Sequence, residues 1–152
     1  MYQYLLPIHS VLRWLILLFL FTSILRTVAG YYRNHTFTKW DNVLRHWTAT
    51  VGHIQMIVGI LLYIKSPIVQ YYWDSPYPIN GEALFFSVYH IALMILAIVI
   101  LTIGSAMAKR KETDKQKFKT ILIWYSLCLV IMFVSIPWPF SPFANRLYLR
   151  PF

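Results

Sequence analysis

Four apolar stretches, each long enough to cross a lipid bilayer, occupy most of this chain, and three of them carry histidine. They run over about 5–29, 41–64, 83–108 and 118–136. Each exceeds the ~18 consecutive apolar residues that separate a membrane span from a buried soluble helix. A bilayer core offers no water to satisfy a polar ring, so an intramembrane histidine is there to bind, transfer or bond something. Such histidines are His9 in the first stretch, His46 and His53 in the second, and His90 in the third. Only 12% of the 152 residues are charged, about half of what a soluble domain of this size needs. The spans and their short connections leave room for one four-helix domain over 1–152 and for no separate soluble one.

The net charge of +9 does not point to nucleic acid, because the basic residues border the spans. Arg26, Arg33, Lys39 and Arg45 flank the first connection, and Lys109, Arg110, Lys111, Lys115, Lys117 and Lys119 flank the third. Lys65, Arg146 and Arg150 lie on the opposite side, with Arg13 just inside the first span. The positive-inside rule places both termini outside and the Lys-rich turn in the cytoplasm of a bacterial inner membrane. The start, MYQYLLPIHS, lacks the basic region of a cleaved signal. Cys128, the single cysteine, falls in the fourth span, where it reads as a buried inert thiol.

Two aromatic and proline-rich segments share the outer side. One is the connection IVQYYWDSPYPINGE, and the other is the tail 137–152, whose prolines forbid a fifth span. Both read as interfacial anchors. The alternative is a joint lid over the outer end of the bundle.

Helical spacing places the candidate site. His46 and His53 share one face of the second span with Ala49, Gly52, Met56 and Gly59. Small residues there let a helix or a flat ring approach the backbone closely. In the third span Ser87, His90, Met94, Ala97 and Gly104 follow one side, and in the first His9, Arg13, Leu20, Ser23 and Thr27 do. At ~1.5 Å per residue, His53 lies about 17 Å and His90 about 11 Å below the outer end, a mismatch of ~6 Å before tilt. His9 is nearer the surface still, and His46 lies at the cytoplasmic end. Three uses fit this set. Two imidazoles on facing helices ligate a b-type haem, with Arg13 and Arg146 for its acidic groups. His9, His90 and a methionine ligate copper. A histidine hydrogen-bonds a quinone. The non-functional alternative is helix-to-helix hydrogen bonding, worth ~0.6 kcal/mol per bond in membranes.

The strings LRHWTATVGHIQ, AKRKETDKQKFKT and IPWPFSPFANR, with a YH pair in the third span, resemble a family of small four-helix membrane proteins of Bacteroidetes. That family is labelled cytochrome b or cytochrome b-like, with distant likeness to cytochrome b561-type bundles. The resemblance covers essentially the whole chain. It implies an all-α integral membrane bundle with electron transfer through bis-histidine haem, working among membrane redox subunits rather than as a stand-alone enzyme. One haem is expected here, because the inner side offers only His46 and the loop residue His35. The expected ligands are His53 and His90, with His9 as alternative ligand or supporting partner and Gly52 or Gly59 making room for the ring. The other function class left open is a haem-free accessory or assembly subunit.

Overall fold

A computed structural model describes residues 2–142 together with Ala144, Arg146 and Tyr148. Helix α1 spans Tyr2–Tyr32 and α2 spans Lys39–Lys65. A short helix α3, Pro67–Asp74, follows directly on α2. Helix α4 runs from Glu82 to Arg110 and contains one π-helical stretch, Phe85–His90. Helix α5 spans Asp114–Ser135. Helices α1, α2, α4 and α5 are each long and apolar enough to cross a membrane, which makes the chain a multi-pass membrane protein. The helices start and stop within about four residues of the sequence expectation. Helix α3, in the segment read as an interfacial loop, is the one added element. Its start follows from Pro67 at its first position, where a missing N–H costs nothing.

Each long helix packs on two neighbours, in the ring order α1–α2–α4–α5. Helices α1 and α4 are therefore diagonal across the bundle. The shared core is built from Ile16, Leu20, Val51, Ile98, Leu101, Ile121, Tyr125 and Met132. Outward faces carry bare apolar side chains such as Leu18, Phe21, Ile57, Val99, Val130 and Phe133. Water penalises such surface, and lipid does not.

Glycines set how closely the helices meet. A methyl group on Gly104 would overlap the stem of Trp124 in α5, and one on Gly30 would stand 2.5 Å from the Phe118 ring. Without a hydrophobic force between helices in lipid, such close approach supplies the packing energy. Gly104→Ala is expected to cost ~1–3 kcal/mol, because the stem of Trp124 cannot yield without moving α5. Thermal unfolding in detergent checks this, and an unchanged midpoint would contradict it.

The end of the bundle where α1 meets α2 is tied by polar bonds. Asp41 is 6% exposed. Its carboxylate accepts from Arg26 Nε at 2.7 Å and from Arg26 Nη2 at 3.1 Å. It also accepts from the Thr38 N–H at 2.8 Å, while the Thr38 hydroxyl caps α2 by accepting from the Asp41 N–H. This reciprocal cap fixes where α2 begins and holds it to α1. Arg45 is buried and spends its donors on neutral oxygens, those of Asn42 and of Ser105 in α4. The Tyr125 hydroxyl donates to the Arg45 carbonyl at 2.9 Å, so three helices meet at one residue.

Candidate functional site: a histidine-lined cavity at one end of the bundle

At the opposite end from the Arg26–Asp41 pair, the bundle opens into a cavity of about 180 Å³. This exceeds the ~150 Å³ hole that accepts a benzene molecule, so a flat ring fits. His9 from α1 and His90 from α4 both line it, as do Arg13, Gln55, Gly59 and Met94. His9 sits seven residues into α1 and His90 eight residues into α4. At ~1.5 Å per residue both rings lie about 11 Å from the same end. Because α1 and α4 are diagonal, the cavity separates two imidazoles at one level.

The hydrogen bonds set the tautomers. His90 Nδ1 lies 2.8 Å from the Ser135 carbonyl, which can only accept, so Nδ1 carries the proton. Its Nε2 is then the nitrogen with a lone pair. This bond, from a ring N–H to a backbone carbonyl, is the one that orients a metal-ligating histidine. The Gln55 amide donates to His9 Nε2 at 3.3 Å and to the His9 carbonyl at 3.1 Å. His9 therefore also holds its lone pair on Nε2, engaged by one long bond, with the proton on Nδ1. Gly59 gives this ring its place, since a methyl group there would meet His9 Cε1 at 3.3 Å.

Three buried polar atoms on this cavity have no hydrogen-bond partner: His9 Nδ1, Ser10 Oγ and Gln55 Oε1. Buried polar groups are normally satisfied, and a cluster of such atoms on one cavity is what a water, an ion or a ligand bound there would satisfy. The π-helical stretch ends on His90 itself. Such stretches interrupt α-helices mostly at functional places. This one frees the Ser87 carbonyl to accept from the Tyr63 hydroxyl of α2 at 3.0 Å, and Trp73 of α3 donates to that hydroxyl in turn.

Cations and the C-terminal segment close the mouth. Arg146 lines the cavity and pairs with Glu82 at the start of α4. Arg13 faces inward, donates to the Tyr148 carbonyl and stands over the rings of Trp14 and Trp138. Trp14 donates to the same carbonyl at 2.8 Å. Arg146 and Tyr148, beyond α5, thus reach α4 and α1 respectively at this end of the bundle. Contacts of this kind belong to the lid alternative; the aromatic residues Tyr71, Trp73 and Tyr77 nearby are exposed, as anchors are. The remainder of the 137–152 tail lies outside the described residues.

The expected ligand pair, His53 and His90, is not brought together. His53 is absent from the cavity wall, and its Nε2 lies 2.9 Å from Thr102 Oγ1. Thr102 is twelve residues beyond His90 in α4, ~18 Å along the helix. No single iron reaches both rings. Gly52 is also elsewhere: it packs against Leu101 and Ile98 in the core. His46 is exposed near the Arg26–Asp41 end, edge-on to Trp47. His9, Arg13, Gly59 and His90 converge, with Gln55, Ser10 and the π-helical stretch unforeseen. Gln55 had a signal in the sequence: it is four residues before Gly59, on the face that meets His9.

Among the described residues no group of three or more His, Cys, Asp or Glu side chains is placed to hold a bare metal ion. The chain matches no known family model, no curated protein and no solved structure.

Proposed function

We propose that this chain is a membrane electron-transfer protein that holds one b-type haem between His9 and His90. One observation carries the reading: two imidazoles from diagonal helices line one cavity at one depth, each with its lone pair on Nε2. The two imidazole donors suit the iron of the group, while the space of about 180 Å³ holds one flat ring and would have to widen to take a whole porphyrin. His9 and His90 would hold the iron through their Nε2 atoms, and the orphaned polar atoms on the cavity are ones that a bound group could satisfy. His90 is held in the ligating tautomer by Ser135. His9 is seated over Gly59, and its long bond to Gln55 would give way to the iron. Arg13 and Arg146 at the mouth offset the charge of acidic groups on the ring edge. A haem in this place supplies one-electron chemistry. The chain's part is to orient the imidazoles, keep water out with an apolar wall and cover the mouth with the C-terminal segment.

The test is electron paramagnetic resonance of the oxidised protein. The reading expects the low-spin signal of bis-imidazole iron; a high-spin signal, or none, counts against it. A second reading draws on Met56, Met94 and Met132, which line the same cavity. Soft sulfur with imidazole suits copper(I), and metal analysis separates the two.

The proposal includes the setting: a bacterial inner membrane, with the Lys109–Lys119 turn in the cytoplasm and the cavity at the outer side. A phosphatase reporter active only outside the cytoplasm, fused after Phe152, is expected to work. Activity of a cytoplasm-only reporter at that position would reverse the orientation.

A further inference from the structure

His53 is the intramembrane histidine that the cavity does not use, and its surroundings define a second site. The Thr102 hydroxyl has one hydrogen, and it goes to the Ile98 carbonyl at 2.7 Å. Thr102 Oγ1 can then only accept from His53, so His53 carries its proton on Nε2. Nδ1 is left as an acceptor, and no described residue bonds it. His53 is half-buried and Thr102 exposed, on the outward face between α2 and α4. His53 is fourteen residues from the inner end of α2 and twelve from the outer end, ~18–21 Å from each. Neither water nor a lipid headgroup satisfies a nitrogen at that depth. An open acceptor in hydrocarbon is costly, and polar groups so placed mark function.

The same face leads to the cavity. Met56 is one turn outward from His53, and Ile98 is one turn outward from Thr102; both line the cavity. Ile60 and Ile95 line it too, yet they are 38% and 43% exposed on the outer surface. The cavity therefore opens sideways between α2 and α4, and His53 stands at the inner end of that seam. We propose that the α2–α4 seam binds a membrane-dissolved hydroquinone, whose hydroxyl donates to Nδ1 of His53. Depth selects a lipid-soluble molecule, the acceptor selects a hydroxyl donor, and the adjoining cavity of about 180 Å³ admits a flat ring. A second copy of the chain is a poor occupant. Symmetric pairing would bring this face against itself, and its nearby hydroxyls are spent, Thr50 on the His46 carbonyl and Thr102 on Ile98. Use of the hydroquinone as electron donor rests on the redox reading above; its binding does not.

The probe is a decyl hydroquinone added to the full chain in lipid nanodiscs, with histidine nitrogens labelled for NMR. The Nδ1 resonance of His53 is expected to move with the hydroquinone and to stay put with its dimethyl ether, which cannot donate. His53→Leu is expected to weaken binding about tenfold, the worth of one net hydrogen bond at the upper end of its range. Thr102→Val frees the tautomer and is expected to weaken binding severalfold without touching the ligand. Equal shifts with hydroquinone and ether overturn the proposal, and this comparison needs no variant to fold. So does a His53→Leu protein that turns from dimer to monomer, since the acceptor then serves another helix. The two proposals fail separately. A chain without haem that shows the shift keeps this site and loses the haem; a haem-bearing chain without the shift does the reverse.

Discussion

Replacing either His9 or His90 by alanine is expected to abolish the reduced-minus-oxidised absorption signal of the protein, while His53→Ala leaves it in place. The asymmetry follows from geometry. His9 and His90 line one cavity from diagonal helices, and a six-coordinate iron needs both nitrogens. His53 is bonded to Thr102, well inward of His90. The variants are tolerable structurally, since each ring makes few protein bonds: His90 loses one to Ser135, and His9 loses a long one to Gln55. Circular dichroism of the variants confirms helix content. A signal that survives His9→Ala but vanishes with His53→Ala would return the ligand pair to His53 and His90 and refute the present site.

Asp41→Ala is expected to be the most destabilising change outside the cavity. It removes the carboxylate half of the reciprocal cap on α2, the bond from the Thr38 N–H, and leaves the Arg26 guanidinium without its carboxylate. Breaking one side of a buried pair costs ~3–5 kcal/mol, and Arg26 is partly exposed, so about 3 kcal/mol is the expected loss. Arg26→Ala should cost less than Asp41→Ala, because the cap with Thr38 survives it. Thermal unfolding of both variants and of the double variant in detergent checks the order, and equal losses for the two single changes would contradict it.

The spans were legible because hydropathy acts locally. An apolar run must cross the bilayer, and the basic residues at Lys109–Lys119 and the prolines 137 and 139 stop it within a few residues of the observed ends. Depth along a helix was legible only in part: the sequence put His9 nearer the surface than His90, and the two come to one level because α1 begins at Tyr2, ahead of the apolar run. Rotation and neighbourhood were not. Whether His53 faces α1 or the α2–α4 seam depends on the fit of Gly52 against Leu101 and of Gly104 against Trp124. Those contacts join residues far apart in sequence, and one helix's periodicity holds no record of them. The acceptor that captures His53 is a single threonine on another helix. The π-helical turn before His90 was equally hidden, since FFSVYH reads as ordinary helix by composition.

The central claim is that the cavity between α1 and α4 holds one haem, and the visible spectrum of the purified, unmodified protein tests it most directly. The protein should be produced with haem in ample supply, and its pyridine haemochrome compared with its concentration. The account expects a b-type reduced spectrum and one haem per chain. A correctly folded, helical protein that emerges colourless under those conditions would contradict it.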